Sequence, residues 1–277
     1  MQILTNGSPT YILLNGIIAH EEVLLDDNIC LQPADTSHLD FDTAIKTCRR
    51  PDDIAVIAAY IPRITAQLKI TANTKEELTA RAWNSIWDVL ILSAIFHTEV
   101  GFNIQSDTTA SKINKDSHLN STSLHMRGLN SEKPYKLSTE DLSWIKTHFA
   151  DARKLLDDDR FQTAIHCLAS YRWHSMPRIK LAILWAGIEG IFGASSEIRF
   201  RLSLYIARFL HHEDQIKCKD TFETIKKLYN IRSAAVHGAK IKSNTVSAVD
   251  ESAKILRLVL LQCITCQALP NENDLVP

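Results

Sequence analysis

The hydrophobic period of this chain changes near residue 75, which divides what its two parts can fold into. Before it, short runs alternate apolar and polar residues with a period of two, as half-buried strands do. "EVLLDDNICLQ" reads as two strands around an Asp-Asp-Asn turn, and "RITAQLKITA" sets Ile64, Ala66, Leu68 and Ile70 against polar neighbours. Four of the eight prolines fall in the first 62 residues. After it, "KEELTARAWNSIWDVLILSAIF" puts Leu78, Ala82, Ile86, Val89 and Leu90 on one stripe of a helix and then turns apolar all round, as a helix buried at its far end must. The expectation is a mainly helical α+β chain. A strand-rich region spans 1–74 and a helical domain 75–270, interrupted by an exposed polar loop at about 105–135.

Beyond that loop the helical period returns. Ser138 followed by Asp141 is a capping signal for "EDLSWIKTHFADARKLL". Further helices are expected over 160–171, 177–192 with Pro177 in the first turn, 197–211, 220–237 and 247–268. There is no internal repeat. The longest apolar runs, "VLIL" and "LVLL", are far shorter than the roughly 20 residues that span a bilayer. No basic, small-residue-terminated leader opens the chain, so a soluble cytoplasmic protein is expected. In that setting the six cysteines read as reduced thiols.

Net charge is −1, yet residues 199–242 hold ten Lys or Arg against four acids. Such a concentration either favours an anionic partner or reflects solvated helix faces. Gly187, Gly190 and Gly193 in "AGIEGIFG" have the wrong spacing for a phosphate-binding loop and follow no strand. On a helix they allow a neighbour to approach closely, and the last can end it. Glu189 lies inside this apolar segment and calls for a cationic partner, with Arg232 and Arg208 as candidates. Cys263 and Cys266 form a lone Cys-x-x-Cys without further zinc ligands, and read as core cysteines. No histidine pattern suits a metal, and no glycine-flanked nucleophilic serine is present.

The stretch "KLYNIRSAAVHGAK" places Arg232 and His237 in an apolar helical pattern ending at Gly238. Five residues rotate about 140° beyond a full turn, so the two do not share a face of an ideal helix. Either the helix stops at Gly238, or both side chains converge on something lying across its end. Arginine forks onto phosphate oxygens and histidine moves protons near neutral pH, which together suffice for metal-free phosphodiester chemistry. A capping histidine and an arginine solvating the helix side are the alternative.

"LWAGIEGIFG", "LSLYIARFL" and "LYNIRSAAVHG", in that order and spacing, resemble the Apea-like branch of the HEPN superfamily, marked by an Arg, four to six residues, then a His. The likeness is strongest over 138–268. It implies a helical bundle that forms a homodimer and acts as a metal-independent endoribonuclease, a hydrolase of microbial stress, toxin or phage-defence biology, with RNA as its partner and no cofactor. A regulatory protein partner is also within what the resemblance implies, and a membrane is not. Arg232 and His237 would be catalytic, with Glu189, Ser233, Tyr229 and Asn230 in support. Arg208, Lys226, Lys227, Lys240 and Lys242 would contact phosphate. Active members often carry Asn, Asp or His directly after the Arg, where this chain has Ser233. Gly238 follows the His, so the His-x-Tyr mark of toxins held by nucleotidyltransferase antitoxins is missing. The alternative is a non-catalytic module of the same family that binds RNA, a nucleotide or a protein partner.

Overall fold

The computed structural model describes residues 3–275 except 6, 8, 49, 125–128, 130–132, 194–197 and 240–243. The chain is mainly helical with an antiparallel sheet near its N-terminus, and it divides into two compact units, 1–150 and 151–277. No helix among the described residues is long and apolar enough to cross a membrane.

In the first unit, β1 (Thr10–Asn15) is buried along its whole length. It lies inside a six-stranded sheet that also holds β3 (Val23–Asp26), β4 (Ile29–Pro33), β5 (Ile64–Ile70), β6 (Gly101–Ser106) and β7 (Leu119–Ser121), in the order β3-β4-β5-β1-β6-β7. β2 (Ile17–Ile18) pairs in parallel with β8 (Tyr135–Lys136). The expected hairpin is present, with Val23 opposite Leu31 and Asp26 opposite Ile29. Its turn is held by the Asn28 amide donating to Asp26 Oδ1, the local bond that makes Asp a turn residue.

Two short helices, α1 (Phe41–Thr47) and α2 (Ile54–Tyr60), interrupt the region that reads as strands, and Ala44, Val56, Ile57 and Tyr60 join a core with Tyr11, Leu13 and Ile104. Apolar runs this short do not distinguish helix from strand by period alone. α3 (Lys75–Ile95) begins where the period changes. Thr74 accepts from the Glu77 amide, and the Glu77 carboxylate reaches back to the Asn73 amide at 3.2 Å. The polar stretch 105–135 is not an exposed loop throughout. Leu119–Ser121 forms β7 and is buried, the Thr122 amide donates to the Asn103 carbonyl at 2.9 Å, and the Ser121 amide approaches Asp53 Oδ2 at 3.4 Å. A strand whose side chains are mostly polar carries no hydrophobic period, so its partners alone reveal it. α4 (Thr139–Leu155) starts with the expected box: Ser138 and Asp141 exchange amide-to-side-chain bonds of 2.9 and 3.1 Å.

In the second unit, α5 (Asp159–Ser170) and α9 (Thr245–Cys266) flank α6 (Pro177–Phe192), while α7 (Ile198–His211) and α8 (Gln215–Val236) form an antiparallel hairpin closed by Asp214, whose side chain accepts from the Lys217 amide. α8 therefore starts about five residues before the apolar period becomes legible. A short helix, α10 (Glu272–Leu275), rests on α7, with Glu272 Oε1 accepting from Arg201 at 2.7 Å and from the Tyr205 hydroxyl at 2.6 Å. Gly187 lets α6 approach its neighbours: a Cβ there would meet Cys167 Cβ at 3.0 Å and Leu256 Cδ2 at 3.1 Å. Gly190 opens onto free space, so the glycine stripe serves close packing at one position only. Gly193, at φ 61°, ends the helix.

Candidate functional site

α8 stops at Val236. His237 follows at φ −88°, Gly238 adopts φ 73°, and the Ala239 amide returns to the Ala234 carbonyl at 3.0 Å, the six-to-one bond of a Schellman closure. Of the two arrangements open from the sequence, termination at Gly238 is the one found. The His237 side chain is exposed and makes no hydrogen bond among the described residues.

Arg232, little more than a turn earlier, points elsewhere. Its Nη2 donates to Glu189 Oε2 at 2.9 Å, linking α8 to the last turn of α6. The side chains are 18% and 27% exposed, so the pair is largely withdrawn from water. Burial raises the Glu189 carboxyl above its usual range, and the Arg232 charge opposes that rise. The pair is also incomplete: Glu189 Oε1 and Arg232 Nε are buried without a hydrogen-bond partner among the described residues. Beneath them the guanidinium carbon lies 5.7 Å from the Tyr229 ring centroid, and that ring stands edge-on to Trp185 at 5.4 Å. Trp185 is fully buried, and its indole N–H donates to Ser252 Oγ at 3.1 Å, which donates in turn to the Ala248 carbonyl. Three helices thus brace the arginine through a continuous stack of Tyr229, Trp185 and Ser252.

A residue absent from the expected site, Arg178, holds the His237 end. Arg178, in the first turn of α6, donates to the carbonyls of Ala234 and Ala235 at 3.3 and 3.2 Å and to that of Ala239 at 2.8 Å. These are carbonyls around the end of α8, where a cation also meets the favourable end of the helix dipole. The legible signal was an arginine directly after Pro177, in a helical first turn where a positive charge is disfavoured unless it has work across an interface.

The remaining candidates are dispersed. Ser233 is part-buried, and the exposed Asn230 accepts from Arg199 at 3.4 Å. Lys226 lies 3.6 Å from Glu223 and 5.5 Å from the Phe222 centroid, and Lys227 is exposed. Arg208 is not the Glu189 partner. It donates to the Leu275 carbonyl at 2.9 Å. Lys240 and Lys242 lie outside the described residues. Cys263 is buried, its thiol pushed up to about 12 chiefly by desolvation, whereas Cys266 is exposed and so is not a core residue. Among the described residues, no group of three or more His, Cys, Asp or Glu is placed to hold a metal ion.

No family model matches the chain, and neither a curated protein nor a solved structure does.

Proposed function

We propose that this chain is a metal-independent endoribonuclease of the HEPN type, acting as a cytoplasmic homodimer in microbial stress, toxin or phage-defence biology. The observation that carries the reading is the end of α8, where an exposed imidazole, His237, follows a guanidinium whose direction is set by Glu189 and Tyr229. In the proposed reaction the ribose 2′-oxygen bonds to the adjacent phosphorus as the bond to the 5′-oxygen breaks. His237 accepts the 2′-hydroxyl proton or returns one to the leaving oxygen, and Arg232 offsets charge developing on the phosphate. The products are a 2′,3′-cyclic phosphate and a 5′-hydroxyl. Two facing copies of the helix end would form a two-sided phosphate clamp.

A second reading has an observation of its own. The Glu189 carboxylate already neutralises Arg232, and Ser233 follows the arginine, both of which suit a module that binds without cleaving.

Incubating the full chain with mixed RNAs in chelator separates the two. The nuclease reading expects cyclic phosphate ends, a block by deoxyribose at the cleavage position, and a loss of about 100- to 1000-fold in Arg232→Ala and in His237→Ala. Binding without cleavage, with a salt dependence that Arg232→Ala reduces, would establish the binding module instead. Cleavage that survives both substitutions would overturn both readings.

A further inference from the structure

The hairpin of α7 and α8 encloses a groove of about 590 Å³, within the range of small-molecule sites. Its two walls follow from helical spacing. Phe200, Leu204 and Arg208 recur every fourth residue on α7, while Cys218, Lys219 and Phe222 occupy the facing stripe of α8, with Leu275 from α10 at the side. Because the helices are antiparallel, the groove is polar along its length. Phe200 and Phe222 meet edge to face at 5.8 Å at one end, and Phe200 remains 54% exposed. Arg208 stands toward the hairpin turn, about 12 Å along α7 from Phe200 at 1.5 Å per residue.

Among the described residues, none of those lining the groove is acidic. Of the described carboxylates nearby, Asp214 lies with Lys217 at 3.2 Å, Glu223 with Lys226 at 3.6 Å and Glu272 with Arg201 at 2.7 Å, while Glu213 lies 3.5 Å from His212 on the groove wall and Asp220 follows Lys219 in the chain. Arg208 spends one N–H on the Leu275 carbonyl, and neither Arg208 nor Lys219 makes an ion pair among the described residues. Two cations without an ion pair among the described residues, at one end of an aromatic groove, complement a dianion joined to a flat ring. A doubly charged phosphate matches the pair of cations better than a single carboxylate, and an aromatic ring stacks on phenyl faces where an aliphatic chain gains only area.

We propose that this groove binds a nucleoside monophosphate, its base against Phe200 and Phe222 and its phosphate on Arg208 and Lys219. The site is distinct from the residues around Glu189 and stands whether or not the chain cleaves RNA.

Calorimetric titration of the full chain with each of the four ribonucleoside 5′-monophosphates tests it, with adenosine, inorganic phosphate and laurate as comparisons. At least one monophosphate should bind, at least tenfold more tightly than adenosine or phosphate alone. Phe200→Ala and Lys219→Ala should each weaken it about tenfold, whereas Arg232→Ala should leave it unchanged. The bound monophosphate should also slow alkylation of Cys218 by iodoacetamide, read peptide by peptide. The proposal is overturned if no monophosphate binds, if binding ignores both groove substitutions, if Arg232→Ala abolishes it, or if laurate binds there and the monophosphates do not.

Discussion

Arg232 Nη2 lies 2.9 Å from Glu189 Oε2, across 43 residues of sequence, so a cation and an anion that are each costly to bury alone are held by one another between α6 and α8. Breaking such a pair from one side strands the other member. Arg232→Ala leaves Glu189 without its cation and should destabilise the fold by about 2 kcal/mol, whereas His237→Ala, removing an exposed ring, should leave the melting temperature within about 1 °C. Thermal denaturation of both variants checks this. Equal losses would mean that His237 is also built into the fold.

The titration of Glu189 has a definite sign. Its folded pKa is raised, chiefly by burial, so the native state holds the protonated form better than the unfolded chain does. That contribution is present below the ordinary carboxylate range and is lost as pH rises through the raised value. Glu189→Gln cannot ionise. Its stability relative to wild type should therefore improve as pH rises from about 4 to about 7, followed by denaturant melts across that range. A relative stability that falls over the same interval would show that the Arg232 attraction outweighs desolvation.

Arg178 ties the start of α6 to the end of α8 through three carbonyl acceptors. Arg178→Ala should expose these carbonyls to solvent and cost about 1–2 kcal/mol. Hydrogen exchange should accelerate at the Ala239 amide, which closes the helix end. If the nuclease reading holds, cleavage should fall in this variant although Arg178 touches neither Arg232 nor His237 through any bond described. Unchanged exchange at Ala239 would mean that the Schellman closure alone holds the end.

Two glycines three residues apart should respond in opposite directions. Gly187→Ala forces a methyl against Cys167 and Leu256 and should destabilise by about 1–3 kcal/mol. Gly190→Ala meets open space inside a helix and should stabilise by up to about 1 kcal/mol. A destabilised Gly190→Ala that also dissociates a dimer in light scattering would place this face of α6 in the interface between copies.

Short stretches of chain enforce a good part of this fold without help from distant residues. The hairpin at 23–33 follows from alternation around a turn whose Asp bonds its own backbone. The starts at Ser138 and Pro177 and the stops at Gly193 and Gly238 follow from caps that act within four or five residues. Glu189 could be read as needing a cation, because burying a carboxylate is costly wherever it occurs. Only the tertiary structure chose Arg232 over Arg208, which turned to the Leu275 carbonyl instead. It alone placed Arg178 on carbonyls 56 to 61 residues away and made a buried strand of the polar segment at Leu119–Ser121. Local hydrogen bonds and period are set by neighbours along the chain, whereas the partner of a buried charge or a polar strand depends on which faces meet in space.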